Sequence, residues 1–377
     1  MIRTIIDVHV LQTVPPSNLN RDDTGSPKTA VYGGERRARV SSQAWKRATR
    51  KSFETLLDPT ELGMRSKRLV ELLAERIASR DASLLPESTN YAKLTVNATG
   101  IKTKLQNKKD ELEEADYLIF LSEVQIEALA NAAVEAAASG DFGTAIKAAN
   151  LKAIANQAHS VDIALFGRMV AELPELNVDA AAQVAHAISV HGVENEYDYF
   201  TAVDDHKALD INEDAGAAMI GTVEFNSATL YRYATVDVDR LGDNLGDAQA
   251  TERAVRAFVR AFATSMPTGK QNTFANRTLP DAVIVSISQR QSVNLVGAFE
   301  DAIVSEGASG RVGAAAQRLA DYAGQVHSAY GTAPERSWVV AVGAAAEPLS
   351  EVGPLVSLDK LVDEVGSEVS RRLAESA

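Results

Sequence analysis

Seven basic residues, Arg36, Arg37, Arg39, Lys46, Arg47, Arg50 and Lys51, fall in a stretch of chain with no Asp or Glu among them. Guanidinium and ammonium groups at this density suit one task above others, holding the phosphates of a nucleic-acid backbone. The chain as a whole is acidic, with a formal net charge of −13 at pH 7. Outside this segment it holds 31 basic and 51 acidic residues, a balance of −20. A solvated helix face normally mixes both signs. A molecule built this way repels polyanions generally and admits them at one place. The same residues also fit a basic surface helix with no partner, or a surface that meets an acidic patch on another protein.

Other chemistry has less to draw on. There is no cysteine, which excludes thiolate catalysis, disulfides and cysteine-ligated zinc. The six histidines are His9, His159, His186, His191, His206 and His327. His186 and His191 are offset by five, which does not align two ligands on one helical face, so no metal site is expected. His9 is expected to be packed or capping within a strand. Asp22-Asp23 and Asp204-Asp205 are adjacent carboxylates of the kind found in turns. The run Gly307 to Gly313 lacks both the G-x-G-x-x-G spacing and a P-loop lysine. It reads as a loop leading into a helix, and no cofactor and no catalytic residue is expected.

The elements that must position the basic residues follow from periodicity. Residues 2–14 carry β-branched residues with partial alternation and predict a strand ended by Pro15-Pro16. Residues 17–40 read as a long ordered loop. Ser41-Ser42 then cap a helix running to about Leu57. At about 100° per residue, Ala48, Thr49, Ser52 and Leu56 share the Trp45 face of that helix, its buried stripe. Gln43, Lys46 and Arg50 share one sector away from it, one turn apart, a spacing suited to successive phosphates. The free amides after Ser41-Ser42 add a helix N-terminus, itself favourable for anions.

Further on, 60–82 predicts a second helix, and the alanine-rich stretch to Leu173 predicts helices near 122–138, 143–157 and 160–172. Segments 220–240, 281–288 and 336–343 are strand-like, and 249–265, 309–325 and 357–374 helical. Without the helical insertion the order is strand, helix, strand, helix, strand, helix, strand. This predicts an α+β sheet covered on one side by helices, most simply a ferredoxin-like arrangement. No apolar run approaches the roughly 20 residues that span a bilayer, and charges interrupt the N-terminal segment. A soluble, cytoplasmic protein with no membrane partner is the expectation.

Particular residues go further. Ser17 to Asp23, Lys28, and Tyr32-Gly33-Gly34-Glu35-Arg36-Arg37-Ala38-Arg39-Val40-Ser41-Ser42-Gln43-Ala44-Trp45-Lys46-Arg47-Ala48 resemble the CasC family. Members of that family are the repeated backbone subunit of the type I-E CRISPR Cascade complex. VDIALFGRM at 161–169, YDYFTAVDD at 197–205 and GTVEFNSATLYRYA at 221–234 resemble the same family in the same order.

The resemblance implies an RRM-like (ferredoxin-like) palm in two parts, 1–58 and 223–377. It also implies a large helical finger insertion at 59–190 and a thumb hairpin at 191–222. It implies a non-catalytic subunit whose copies oligomerise along a CRISPR guide RNA and kink it at regular intervals. The displaced nucleotides leave runs of bases free to pair with target DNA. Its partners would be the guide RNA, target DNA through the guide, further copies of itself, and the large, small, guide-capping and guide-processing Cascade subunits. The RNA-binding set is Asn20, Arg21, Lys28, Arg39, Ser41, Gln43, Lys46, Arg47 and Arg50, with Met169 and Phe200 as wedges against bases. Some relatives carry a finger lysine cluster that approaches duplex DNA; here the matching stretch offers Lys147 and Lys152. The alternative is a repeated-backbone CRISPR ribonuclease that cleaves target RNA with an aspartate.

Overall fold

A computed structural model describes residues 3–106, 112–202, 219–304 and 310–376. The chain opens with β1 (Ile5–Ser17), the hairpin β2 (Thr29–Tyr32) and β3 (Glu35–Val40), and α1 (Ser42–Ser52). The alanine-rich middle contributes β4 (Gly63–Ser66), α2 (Leu69–Arg80), α3 (Ser88–Ala98), β5 (Thr103–Lys104) and β6 (Glu114–Ala115). It continues with β7 (Ile119–Ser122), α4 (Glu123–Ala138), α5 (Phe142–Ala148), α6 (Leu151–Ile154) and α7 (Val161–Phe166). Next come β8 (Ala182–Val184), β9 (Ala187–Ser189), β10 (Glu196–Ala202), β11 (Met219–Asp237), α8 (Val238–Leu245), α9 (Ala248–Thr264) and α10 (Gln271–Phe274). The chain closes with β12 (Ala282–Ser288), α11 (Gly310–Tyr330), β13 (Arg336–Ala341), α12 (Ala346–Leu349) and α13 (Leu358–Ser376).

The α+β expectation holds. Among the described residues the principal sheet has nine strands, with the path β13-β12-β1-β11-β9-β3-β2 and with β8 and β10 also paired to β11. β1 and β12 run antiparallel from Ile5 opposite Ser288 to Leu11 opposite Ala282. That ladder ends before Pro15, so the missing amides of Pro15 and Pro16 cost it nothing. This is why the strand runs to Ser17 rather than stopping at Pro15.

Helices cover both faces of this sheet, not one. Neighbouring residues of β11 point to opposite sides. Leu230 packs with Val14, Val40, Trp45 and Met266, while Tyr231 packs with Phe299, Leu319, Ala323 and Leu349. α1 therefore lies on one face and α11 and α12 on the other. The sequence order of elements carries no information about that choice.

The chain divides into two compact units, one formed by 1–51, 184–235 and 258–365, the other by 52–183, 236–257 and 366–377. The second is built on a helical core in which Leu73, Ile77, Val96, Leu129, Ala133 and Leu151 are buried. It also takes in 236–257 and 366–377, stretches expected from the sequence to belong to the palm. The Asn244 side chain shows why, donating to the backbone carbonyls of Ala164 and Asp179 at 3.0 and 2.9 Å. The predicted helices of this unit are broken more often than periodicity suggests. The 60–82 segment begins as a short turn and β4 before α2. The 143–157 helix breaks at Asn150, in the left-handed region. The 160–172 helix stops at Phe166 before Gly167. Among the described residues no helix is long and apolar enough to cross a membrane. Asp204-Asp205, His206 and the tip of the predicted 191–222 hairpin lie outside the described residues, as does the part of the Gly307–Gly313 run before Gly310.

Candidate nucleic-acid interface

The first unit gathers nearly all the predicted contact residues on one hairpin, one loop and one helix. β2 and β3 pair from Thr29 opposite Ala38 to Tyr32 opposite Glu35. Gly33 and Gly34 connect them with φ of 59° and 79°, the positive values that a two-residue hairpin turn requires. A Cβ on Gly33 would sit 1.7 Å from the Glu300 carbonyl oxygen. The predicted long loop is thus a hairpin in its second half, and Gly33-Gly34 between Tyr32 and Glu35 is the signal for it.

The loop before the hairpin is closed by its own backbone. The Lys28 amide donates to the Asn20 carbonyl at 2.9 Å. The Asp22 carboxylate accepts from the amides of Thr24 and Ser26, each at 3.0 Å, and from the Thr24 hydroxyl. Those bonds hold its pKa below the usual carboxylate value, the Thr24 hydroxyl first. Asp22 is a turn residue, as expected of adjacent carboxylates. Asn20 Oδ1 accepts from the Ser41 amide at 2.9 Å, and Ser41 Oγ accepts from the Ala44 amide at 3.3 Å. Asn20 and Ser41 therefore splice the loop to the start of α1, with Ser41 as its cap and 6% exposed.

α1 follows its predicted pattern in part, with Ala48 and Ser52 of the expected buried stripe only half-buried. Trp45 and Thr49 are buried, Gln43, Arg47 and Lys51 are exposed, and Lys46 and Arg50 are half-buried. Partial burial lowers the pKa of the Lys46 ammonium. Leu56 departs from the predicted stripe at 37% exposure, because the helix ends at Ser52 and a 3-10 turn carries Phe53 into the core instead.

Two arginines of the basic segment differ from its simple reading. Arg37 is not on the surface at all. It is fully buried and donates to the carbonyls of Tyr32, Ser189, Phe299 and Glu300 at 2.9–3.2 Å. Arg39 is half-buried, its Nε donating to the Thr29 carbonyl and its Nη1 lying 3.3 Å from His186 Nδ1. The Ser42 amide donates to the same imidazole nitrogen at 3.4 Å. Burial, then the charges of Arg39 and Lys28, lowers the His186 pKa. A neutral imidazole nitrogen thus receives a guanidinium and a helix amide, the donors that a phosphate oxygen would accept. Spacing alone brings His186 into view only as a metal ligand. What places it here is the pairing of β9 with β3, Arg39 opposite Ile188 and Val40 opposite Ala187, which no local pattern encodes. Among the described residues Arg21, Lys28, Arg36, Arg39 and Arg47 have no carboxylate within ion-pair distance.

Phe200 stands on β10, directly opposite Gly221 of β11. A Cβ on Gly221 would come within 2.4 Å of the Phe200 ring, so the ring lies across the glycine and stays 37% exposed. Met169 belongs to the second unit and is 85% exposed. It is held between two anchored neighbours. Arg168 exchanges backbone bonds with Val178 at 3.0 and 2.8 Å, and the Val170 amide donates to Asn177 Oδ1 at 2.6 Å. An open groove of about 650 Å³ lined by Arg65, Leu118, Phe120, Phe166 and Asn177 runs beside it. In the same unit Lys147 is exposed and Lys152 is paired with Glu175 at 2.6 Å. His9 is packed as expected, its Nδ1 2.8 Å from the Tyr231 hydroxyl. Among the described residues no cluster of three or more metal-ligating side chains occurs.

The chain matches the model of a family described as CT1975-like protein over residues 6–364. No curated protein matches it. A chain of a solved "CRISPR RNA-guided surveillance complex, pre-nicking" superposes with a TM-score of 0.84 at 35% sequence identity, covering 97% of this chain and 100% of that one. A chain of a second "CRISPR RNA-guided surveillance complex" gives 0.71 at 30% identity, covering 96% and 99%.

Proposed function

We propose, from the premise that this chain belongs to the CT1975-like protein family, that it is a guide-RNA-binding backbone subunit of a CRISPR surveillance complex. The observation that carries the reading is the group of cations on the Asn20–Lys28 loop, the β2–β3 hairpin and α1, of which Arg21, Lys28, Arg36, Arg39 and Arg47 have no carboxylate within ion-pair distance among the described residues. Phosphate contacts of this kind position a strand without reading its bases. Sequence choice is then left to pairing between guide and target. The exposed Met169 and Phe200 suit wedges, because stacking accepts any base.

The finer reading is the type I-E backbone. In it the nine-stranded sheet serves as an RRM-like palm, the helical unit as finger and the β10–β11 ribbon as part of a thumb. The strand order β12-β1-β11-β9, with α1 after β1 and α9 before β12, supports the palm. Copies then stack along one guide in the cytoplasm, beside the other Cascade subunits, and the subunit holds RNA without cutting it. Expression with a CRISPR array tests this: the protein should co-purify with RNA of uniform length and protect it during incubation with Mg²⁺. Purification free of nucleic acid would refute the binding role, and cleavage at a fixed spacing would replace the scaffold with a ribonuclease.

A further inference from the structure

Most arginines of the chain that are drawn into ion pairs sit beside carboxylates in the ordinary way, as Arg76 does with Glu123 and Glu127, and Arg372 with Glu368. Three arginines differ. Arg37, Arg168 and Arg232 are 0%, 4% and 1% exposed, and none has a carboxylate within ion-pair distance among the described residues. Arg37 is held by four backbone carbonyls. Arg168 donates to the carbonyls of Leu176, Phe120 and Ala155 and to the side-chain oxygen of Asn156. Arg232 donates to Gln12 Oε1 at 2.6 Å and to the Phe262 carbonyl. Its guanidinium lies 3.7 Å from the centre of the Trp45 ring and 4.6 Å from that of Phe262.

Neutral acceptors leave a guanidinium's charge uncancelled, and Arg232 Nε has no acceptor at all among the described residues; only Arg37 feels carboxylates from farther off, those of Glu35 and Asp301. Burying such a charge is costly, and a chain with 51 acidic residues has the means to cancel it. Each of the three lies against a candidate contact. Arg37 is next to Arg36 on β3, Arg168 precedes Met169, and Arg232 stacks under Trp45, the inner anchor of the helix that carries Lys46 and Arg50.

We infer that Arg232 behind α1, and Arg168 behind Met169 in its own unit, act as uncancelled charges and add to the hold of those contacts on phosphates without touching them. A helix is about 10–12 Å across with its side chains, so a phosphate on the outer side of α1 is on the order of 10 Å from a guanidinium under its inner side. At an effective dielectric of about 20, one such pair changes an affinity by roughly tenfold before salt, and a Debye length of about 8 Å reduces this to about twofold.

The inference rests on the nucleic-acid reading, and its test separates the two. Gln12→Glu places a carboxylate against Arg232 while leaving the arginine stacked, so the charge is cancelled, at the loss of the bond that Gln12 Nε2 donates to the Thr278 carbonyl at 2.9 Å. Single-stranded RNA binding by the purified full chain is measured at about 50 and 150 mM salt. Gln12→Glu should weaken it by roughly two- to tenfold, more at the lower salt, in protein shown to be folded by a thermal melt. Asn156→Asp, opposite Arg168, should weaken it in the same direction. Arg232→Lys, which keeps the charge, should bind better than Arg232→Met. Arg371→Met, an equal change in net charge at an arginine paired with Glu368 and Glu375, should leave binding unchanged. If Gln12→Glu folds and binds as the wild type does while Lys46→Gln/Arg50→Gln weakens binding, the buried-charge inference is wrong and the surface grip stands. If the Lys46/Arg50 variant also binds as the wild type does, both fail.

Discussion

The two units differ in how far their positive charge is matched by acids. In the helical unit many cations are matched by acids, Lys93 with Glu113, Lys102 with Glu172, Lys104 with Asp116, Lys152 with Glu175 and Arg80 with Glu127, while Lys147 is exposed with no carboxylate at ion-pair distance among the described residues. In the sheet unit Arg21, Lys28, Arg36, Arg39 and Arg47 have no such partner among the described residues. Pairing removes a cation from the set available to an outside anion, so the number of basic residues matters less than the number left uncancelled. By that measure the Asn20–Lys28 loop, the β2–β3 hairpin and α1 offer more positive charge to an outside anion than the paired lysines of the helical unit do.

The largest effect expected is at Trp45, which is fully buried and stacked on Arg232. Trp45→Ala should cost about 3–5 kcal/mol of stability, as large core truncations do, and weaken RNA binding with it by loosening α1. A urea melt and a binding titration on one sample check both. Binding at full strength with α1 so loosened would place the grip off α1.

Next is acid. Burial pushes the His9 pKa down to about 3, helped by the charge of His327, and that of His159 down to about 4, helped by Arg168. An unfolded chain binds these protons near pH 6.5. Below that pH the unfolded state holds more protons than the folded one, so stability falls as the pH drops from about 6.5 toward those values. One such histidine lies in each unit, so acid should not discriminate between them. Urea melts at pH 7 and pH 4 should show the loss, and His9→Asn should make it smaller. An equal loss in that variant would move the cause elsewhere.

Phe200→Ala comes third. It should weaken the hold on a kinked guide by roughly 1–3 kcal/mol, the usual worth of one stacked base. The salt dependence should hardly change, because no charge is removed. A marked fall in the salt dependence would mean that the ribbon binds phosphate instead. The smallest effect is expected in the helical unit, where Lys152→Ala removes one exposed pair and should change stability by about 0–1 kcal/mol and RNA affinity not at all. A clear drop in affinity would erase the contrast between the units.

What is legible in the sequence divides along physical lines. α1 is legible because Trp45 and Thr49 recur at helical spacing and the charges occupy the other side. The strands β11, β12 and β13 are legible as β-branched runs. The β2–β3 hairpin is hidden because the charge in Glu35–Val40 masks its strand character, although Gly33-Gly34 marks the turn. Arg37 cannot be distinguished from Arg36 by type; alternation along β3 puts one inward and one outward, and only the pairing with β9 decides which. His186 at the start of α1 depends on that same long-range pairing. The breaks at Asn150 and Gly167 lie inside apolar runs that continue past them, so periodicity alone overruns both.

If the surface cations of residues 28–51 hold a nucleic acid by its phosphates, salt must compete with them directly. The sharpest test is the slope of log affinity for single-stranded RNA against log salt concentration, in the wild type and in Lys46→Gln/Arg50→Gln. With each residue holding one phosphate, the slope should flatten by about 0.7 for every phosphate released, and so by about 1.4 in the double variant. An unchanged slope would contradict a phosphate grip on this helix.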